Sequence, residues 1–336
     1  MRIAIDVMGG DFGPEVIIPS ALRCAADHPD LSLVLVGDQH QLDQCLKHHS
    51  YDQNRIQIQH AEQVVAMDDK PSVALRHKKG SSMHLALNLV HAGEAQACVS
   101  CGNTGALMAI SRYVIRTLPG IDRPAIIKAM PTIKSRCYLL DLGANINCEA
   151  ENLIQFAAMG SLMCEAVEKK ARPAVGLLNI GHEESKGGDQ VKLAAELLKS
   201  NEMLNFVGFV EGDAIYQGDA DVVVCDGWVG NVALKTSEGL ARFVSHLIQD
   251  AFSKNALTRA ASLVVSPVLN GLKRHLEPQQ YNGAGLLGLN SVVVKSHGQA
   301  NDEGFYHALT EAMLMVDQDV PGLIGSRIDS IMDGYH

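Results

Sequence analysis

The chain has 336 residues and a formal net charge of -10 at pH 7, with 47% hydrophobic and 20% charged residues. This composition is typical of a folded globular protein, and the excess of acidic residues argues against nucleic acid as a main partner. The apolar runs are too short to cross a bilayer, and the scattered cysteines are expected to be free thiols in a reducing cytosol.

Strand and helix patterns alternate along the whole chain. This alternation predicts an α/β fold with an open, mostly parallel, doubly wound sheet. Because no segment has the composition of a linker, residues 1–336 are expected to form a single catalytic unit, and a helix over 301–316 is expected to close it. The predicted strands are the short apolar runs at 3–7, 31–36, 56–58, 97–100, 125–129, 138–140, 174–178, 206–210, 222–225 and 292–295.

Many of these strands run directly into loops rich in Gly, Asn and Asp. In a parallel sheet such loops meet at one edge, where backbone N–H groups can bind an anion. No loop matches the dinucleotide fingerprint GxGxxG or the nucleotide-binding pattern GxxxxGK[ST], so the loops favour a phosphate-bearing ligand over NAD or ATP. They lie at residues 9–11, 102–105, 143–145, 181–187, 227–231 and 297–298.

The strand at 222–225 leads into the clearest of these strand–loop–helix units. A helix pattern opens after Gly230, and the free N–H groups of its first turn favour an anion. Asn231 could cap this helix or reach into the site, and Lys235 adds a positive charge one turn later. An ordinary connection with a capped helix would show the same sequence, so it is the recurrence of such loops that favours a binding site.

Six segments, in chain order, closely resemble the PlsX family of bacterial acyl-carrier-protein:phosphate acyltransferases of phospholipid synthesis. The resemblance runs nearly from end to end, with two departures: Cys101 stands where Ala is usual and His182 where an acidic residue is usual. The segments are IDVMGGD at 5–11, SCGNTGA at 100–106, DLGAN at 141–145, LLNIG at 177–181, VCDGWVGNV at 224–232 and KSHG at 295–298.

The resemblance carries several implications. It implies a fold akin to isocitrate and isopropylmalate dehydrogenases and to phosphotransacetylases, a homodimer, and no metal or nucleotide cofactor. It also implies a reaction in which inorganic phosphate attacks the thioester of a long-chain acyl-carrier protein, giving acyl phosphate and free carrier protein.

In such a reaction, donors aimed at the developing oxyanion are usually the largest catalytic contribution. We expect Lys186 to hold phosphate or the oxyanion as a point charge and Asn231 to donate from its amide, without a covalent acyl-enzyme. His297 could protonate the leaving thiolate, although a structural hydrogen bond is its favoured role, and Asp226 could orient donors or only form a turn. The predicted substrate- and phosphate-binding residues are Gly9, Gly10, Asp11, Gly102, Asn103, Thr104, Gly105, Asn145, Asp226, Gly230 and Lys235.

Residues 245–275 are predicted to form a projecting helical hairpin. Its uncharged stretch 260–272 lies between basic residues, so it could rest in the interface of a bilayer with anionic lipid, or else form a buried hairpin or dimer contact. The resemblance favours a peripheral protein at the inner face of the membrane, near a membrane glycerol-3-phosphate acyltransferase, and the same basic edge could receive the acidic carrier protein. The predicted membrane contacts are Leu263, Val264, Val265, Val268 and Leu269.

Three other functions remain open at this point. The first is a short-chain phosphotransacetylase that uses acyl-coenzyme A, and the second is a non-catalytic membrane scaffold for the carrier protein. The third is a metal-dependent decarboxylating dehydrogenase, which needs clustered Asp and Arg that the strand-end loops do not contain. Chain-length preference and the group that protonates the thiol are not encoded in any pattern we find.

Overall fold

A computed structural model describes residues 1–255, 258–259, 261, 265, 271 and 278–333. The described strands are β1 (Arg2–Asp6), β2 (Ser32–Gly37), β3 (Ile56–His60), β4 (Ala97–Ser100), β5 (Ala125–Pro131), β6 (Arg136–Leu140), β7 (Ala174–Leu178), β8 (Asn205–Val210), β9 (Val222–Val224), β10 (Ala284–Leu287) and β11 (Val292–Lys295). The described helices are α1 (Pro14–Asp27), α2 (Gln39–Leu46), α3 (Pro71–His77), α4 (Ser82–His91), α5 (Thr104–Val114), α6 (Ala150–Glu168), α7 (Asp189–Ser200), α8 (Gly227–Ser253), α9 (Asp302–Asp317) and α10 (Val320–Met332).

These strands form one sheet in the order β3-β2-β1-β4-β11-β10-β5-β6-β9-β7-β8. All neighbouring pairs are parallel except β11 with β10, β10 with β5, and β5 with β6. The prediction of an open, mostly parallel α/β sheet is therefore confirmed. The sequence analysis missed β10 and the helices α2, α3 and α7, and α10 follows the helix that was expected to end the chain.

Alternate residues of the strands pack on opposite faces of the sheet, as the two-residue period of a strand requires. Ile3 and Ile5 join a core beneath α1, α6, α9 and α10, whereas Ala4 between them joins a core beneath α4 and α5. Ala233 and Leu234 of α8 pack against the second core. The helices α5 and α8 therefore lie on the same face of the sheet.

The direction of the strands changes at the centre of the sheet. Since β5 pairs antiparallel with both β6 and β10, the strands β1, β4 and β11 run opposite to β6, β9 and β7. Their carboxyl ends therefore lie at opposite edges, and the prediction that all strand-end loops share one edge is wrong. An apolar run has the same pattern in either direction, so the sequence does not show this reversal.

Nearly all of the predicted membrane-contact segment lies outside the described residues. This holds for Leu263, Val264, Val268 and Leu269, whereas Val265 is described as helical and half-buried. The helix α8 ends at Ser253, inside the predicted 245–275 projection. Among the helices in the ranges given above, none is long and apolar enough to cross a membrane.

The helix α8 is held close to the loop that follows β6. A Cβ atom at Gly230 would lie 1.9 Å from the carbonyl oxygen of Asp141, which leaves room only for glycine. The buried carboxylate of Asp141 shapes this loop, because it accepts the backbone N–H groups of Ile126, Ala144 and Asn145. This contact fixes how deeply the first turns of α8 sit against the sheet.

The substitution Gly230→Ala tests this contact. We expect it to reduce the free energy of unfolding by about 1–3 kcal/mol, because the added methyl must push α8 away from a backbone oxygen. The measurement is the urea midpoint of unfolding, and Gly239→Ala on the same helix is the matched control. Gly239 has no neighbouring atom within 4 Å of an added Cβ, so this control should be neutral or stabilising by up to about 1 kcal/mol. Equal destabilisation by both variants would contradict the assignment.

Candidate active site

A cleft of about 800 Å³ lies between α5 and α8, over the central strands β5, β10 and β11. Loops from both halves of the sheet reach it: residues 297–299 after β11 from one half, and 142–144 after β6 from the other. The strand reversal therefore separates the strand ends, yet the cleft brings several of their loops together. Five of the six predicted strand-end loops contribute residues to its wall, and the 181–187 loop does not.

One face of α8 forms a wall of the cleft. The helix begins at Gly227, with Asp226 as its cap: the Asp226 carboxylate accepts the Val229 backbone N–H at 2.9 Å. Asn231 is therefore not the cap but lies one turn inside the helix. The residues of α8 that line the cleft recur at helical spacing, and they are Asn231, Leu234, Lys235, Glu238 and Arg242.

The first turns of α5 form the facing wall. Thr104 and Gly105 line the cleft there, so the N-terminal end of this helix, which favours negative charge, is part of the site. Asn103 does not line it. Its side chain accepts the Ala106 N–H at 3.0 Å and donates to the carbonyls of Met67 and Asp69, so it caps α5 and fastens the neighbouring loop.

A buried ion pair crosses the floor of the cleft. Lys128 of β5 lies 3.5 Å from Glu238 of α8, and their side chains are only 10% and 8% exposed. Lys235 approaches the other oxygen of Glu238 at 2.9 Å, with its own side chain half exposed. Burial lowers the pKa of Lys128, and the charge of Glu238 opposes this effect. One carboxylate thus holds two ammonium groups together.

Lys295 lies at the carboxyl end of β11 and lines the cleft. It is buried, and its ammonium donates to the carbonyl oxygen of Cys101 at 3.2 Å and to that of Ser296. Burial lowers the pKa of Lys295 to about 8. Below it, the buried Asp6 accepts hydrogen bonds of 2.6 Å from Ser82 and Ser100, and burial raises the pKa of this carboxyl.

His297 follows Lys295 by two residues and also lines the cleft. Its Nδ1 accepts the Gln299 backbone N–H at 3.0 Å, so the neutral ring carries its proton on Nε2. Burial and then the charge of Lys235 lower the pKa of His297. The ring is therefore mainly neutral at pH 7, and it is a hydrogen-bond donor through Nε2.

Positive side chains outnumber negative ones around the cleft, although the chain as a whole is acidic. Such a local excess of cations in a cleft favours an anionic ligand. The cations that line it are Arg112, Lys128, Lys235, Arg242 and Lys295, against the carboxylates of Asp11 and Glu238.

The structure brings only some of the predicted site residues to the cleft. The predicted residues that line it are Asp11, Thr104, Gly105, Asn231, Lys235 and His297. The glycines Gly9, Gly10 and Gly102 support the loops beneath. Added Cβ atoms at Gly9 and Gly10 would lie within 3 Å of neighbouring loops, and one at Gly102 would lie 2.5 Å from the Met83 side chain of α4. Asn145 has a structural role, because its buried amide donates to Pro124 and to Asp141.

Lys186 does not line the cleft. It lies in the exposed loop after β7, where its ammonium pairs with Glu183 at 2.9 Å. That hydrogen bond raises the pKa of Lys186. Lys186 therefore lies outside the cleft that Asn231 lines, and their joint catalytic role stays a prediction.

Sequence reasoning missed several residues of the cleft. Lys128 interrupts an apolar strand, AIIKAM at 125–130, and a lysine in that position was the available signal. Lys295 ends another buried strand, inside a segment that the family resemblance had already marked. The remaining ones are Glu238, Arg112, Arg242 and Asn282, which only the spacing along α5 and α8 or the folded structure connects with the site.

The whole chain matches a known protein family. The model of a family described as fatty acid synthesis protein covers residues 1–323. A phosphate acyltransferase of Hydrogenovibrio crunogenus is 54% identical over 335 residues, which is 100% of this chain and 99% of that protein. One of Methylococcus capsulatus is 55% identical over 330 residues, with 98% and 97% covered. The chain belongs to the PlsX family of phosphate acyltransferases.

Membership of this family confirms the resemblance seen in the motifs and makes the chain an acyltransferase of fatty acid and phospholipid synthesis. The dehydrogenase and the non-catalytic scaffold are thereby excluded as the main function. Within the described part of the chain, His, Cys, Asp and Glu nowhere gather in a group that could hold a metal ion.

Solved structures show that the fold is shared more widely. A phosphotransacetylase from Streptococcus pyogenes superimposes with a TM-score of 0.62 at 18% identity, covering 95% of this chain and 94% of that one. A putative 4-hydroxythreonine-4-phosphate dehydrogenase from Salmonella typhimurium gives 0.54 at 12% identity, covering 94% and 99%. These identities show a common fold alone, and they confirm the predicted phosphotransacetylase- and dehydrogenase-like architecture.

The charge of Lys295 gives the cleft a testable pH dependence. Lys295 is protonated below its pKa of about 8 and neutral above it, so anion affinity should fall about tenfold between pH 7 and pH 9. Sulfate is a suitable probe for calorimetric titration, because its own charge is constant over this range. In Lys295→Met the fall should disappear. An unchanged slope in that variant would show that another group controls binding.

Proposed function

We propose that the cleft binds inorganic phosphate beside the thioester of a long-chain acyl-carrier protein and forms acyl phosphate. The observation that supports this most is the convergence of Asn231, Lys235, Lys295 and His297 on one cavity that includes the N-terminal turn of α5. Phosphate is already an anion at neutral pH, so the protein must position it rather than deprotonate it. Holding both reactants in one site supplies much of the rate.

In the proposed reaction, a phosphate oxygen attacks the carbonyl carbon, a C–O bond forms, and the C–S bond then breaks. Asn231 donates its amide to the oxyanion that develops on the carbonyl oxygen, and Lys235 holds the phosphate. One such donor is typically worth a factor of about 100 to 1,000 in kcat. The neutral His297 donates through Nε2 to the same developing oxyanion.

The leaving thiolate needs one proton. We place this role on Lys295 rather than on His297, because its pKa of about 8 is close to that of an ordinary thiol, about 8.5. His297 is a weaker candidate than the sequence suggested, since it carries little of its second proton at pH 7.

Direct attack by phosphate is favoured over a covalent acyl-enzyme. Cys101 and Cys225 are buried; burial raises the pKa of Cys101 to about 11 and also raises that of Cys225. Their thiols are therefore protonated at neutral pH and poorly nucleophilic.

The proposal includes three partners: the carrier protein, a second copy of the chain and the membrane. Arg112 and Arg242 are exposed at the rim of the cleft and suit an acidic carrier protein. Trp228 and Phe243 are each more than half exposed on α8, which supports a homodimer. Peripheral binding to the inner face of the membrane, with transfer of the product to a membrane glycerol-3-phosphate acyltransferase, completes the proposal.

The decisive assay mixes purified protein, palmitoyl-carrier protein and labelled phosphate and measures acyl phosphate. We expect Asn231→Ala to lower kcat about 100-fold, because the oxyanion loses a donor, while affinity for phosphate changes little. Asn88→Ala, on the exposed face of α4, is the matched control and should be fully active. A folded wild-type protein that makes no acyl phosphate would defeat the proposal, and full activity of Asn231→Ala would remove Asn231 from it.

Lys186 is retained as a proposed catalytic residue on its sequence motif alone. The variant Lys186→Ala in the same assay tests it independently of the cleft.

A further inference from the structure

A second cavity, of about 400 Å³, opens beside the cleft and is almost wholly apolar. We call it the apolar groove. One wall is formed by Met130 and Ile133 at the turn between β5 and β6, and the other by Leu240, Ala241 and Val244 of α8. Its volume lies in the range of pockets that bind small molecules, about 300–1,000 Å³.

The apolar groove is continuous with the cleft. Both cavities are lined by Lys128, Leu234 and Glu238, so the buried Lys128–Glu238 ion pair marks the junction between them. On one side of this pair the walls carry the cations and amides of the cleft. On the other side, the side chains that line the apolar groove present mainly aliphatic and aromatic surface. A ligand that fills both must be charged or polar at one end and apolar along the rest.

We infer that the apolar groove binds the hydrocarbon chain of the acyl group while its thioester carbonyl lies in the cleft. This inference rests on the proposed function, because it assigns the second half of the same substrate. At the junction Glu238 pairs with both Lys128 and Lys235, so these charged groups are engaged with one another where the hydrocarbon would pass. The groove would then favour long acyl chains over short ones.

The same surface has one competing occupant. Leu240 is 58% exposed and shares its helix with the exposed Phe243 and Leu247, so a second copy of the chain could cover the groove instead. The continuity with the cleft favours the acyl chain, because a protein interface would not need to share Lys128 and Glu238 with an anion site.

The substitution Ala241→Phe fills the apolar groove and tests the inference. The substrates are butyryl- and palmitoyl-carrier protein, assayed with labelled phosphate. Each methylene that loses its burial costs about fourfold in affinity, so the ratio of kcat/KM for palmitoyl over butyryl substrate should fall at least tenfold. Ala251→Phe, on the exposed far end of α8 and outside both cavities, is the matched control and should keep the wild-type ratio.

The outcomes separate the two proposals. If wild-type protein makes no acyl phosphate from either substrate, the proposed function fails. If the wild-type protein makes acyl phosphate, three results for Ala241→Phe would overturn the groove inference alone. These are an unchanged ratio of kcat/KM, an equal fall of kcat/KM for both substrates, or a change only in the oligomeric mass measured by sedimentation.

A binding measurement covers the case in which Ala241→Phe does not fold. The fluorescent fatty acid cis-parinaric acid should bind the wild-type protein with enhanced emission, and Ile133→Asp, which places a charge in the outer wall, should weaken this binding at least tenfold. Absence of binding to the wild-type protein, or equal binding to Ile133→Asp, would overturn the inference.

Discussion

The site depends on how closely α8 packs on the loop after β6. Gly230 allows the helix backbone to rest on the carbonyl of Asp141, and the buried Asp141 carboxylate holds that loop through hydrogen bonds to successive N–H groups. Because Asn231, Lys235 and Glu238 lie on the same helix, this one contact sets their depth together. A side chain at position 230 would move all of them away from α5 at once.

The contact between Gly230 and Asp141 matters for the site because the strand direction reverses at the centre of the sheet. With β5 and β10 antiparallel to their neighbours, α5 enters the cleft from one edge of the sheet and α8 from the other. The cleft between them continues into the apolar groove. The cleft has cations and amide donors around Lys295, the groove is apolar, and the Lys128–Glu238 pair lies between the two.

Much of the fold can be predicted from the sequence, because buried strands are short apolar runs bounded by glycine and polar residues. Short polar helices such as α2 and α3 lack a wide apolar face, and the strand β10 is only four residues long, so both kinds of element escaped notice. Asn231, Thr104 and His297, which the motifs singled out, line one cavity. The motifs could not show that Asn103 and Asn145 use their amides to hold local structure, or that Lys128, within an apolar strand, pairs with Glu238 of α8 at the floor of the cleft.

The central claim is that phosphate binds between α5 and α8 over the centre of the sheet. A crystal structure of the protein grown with phosphate tests it most directly. The account predicts density for the anion within hydrogen-bond distance of Lys235 and near Lys295 and His297. Phosphate bound instead at the exposed loop of Lys186, with the cleft empty, would contradict it.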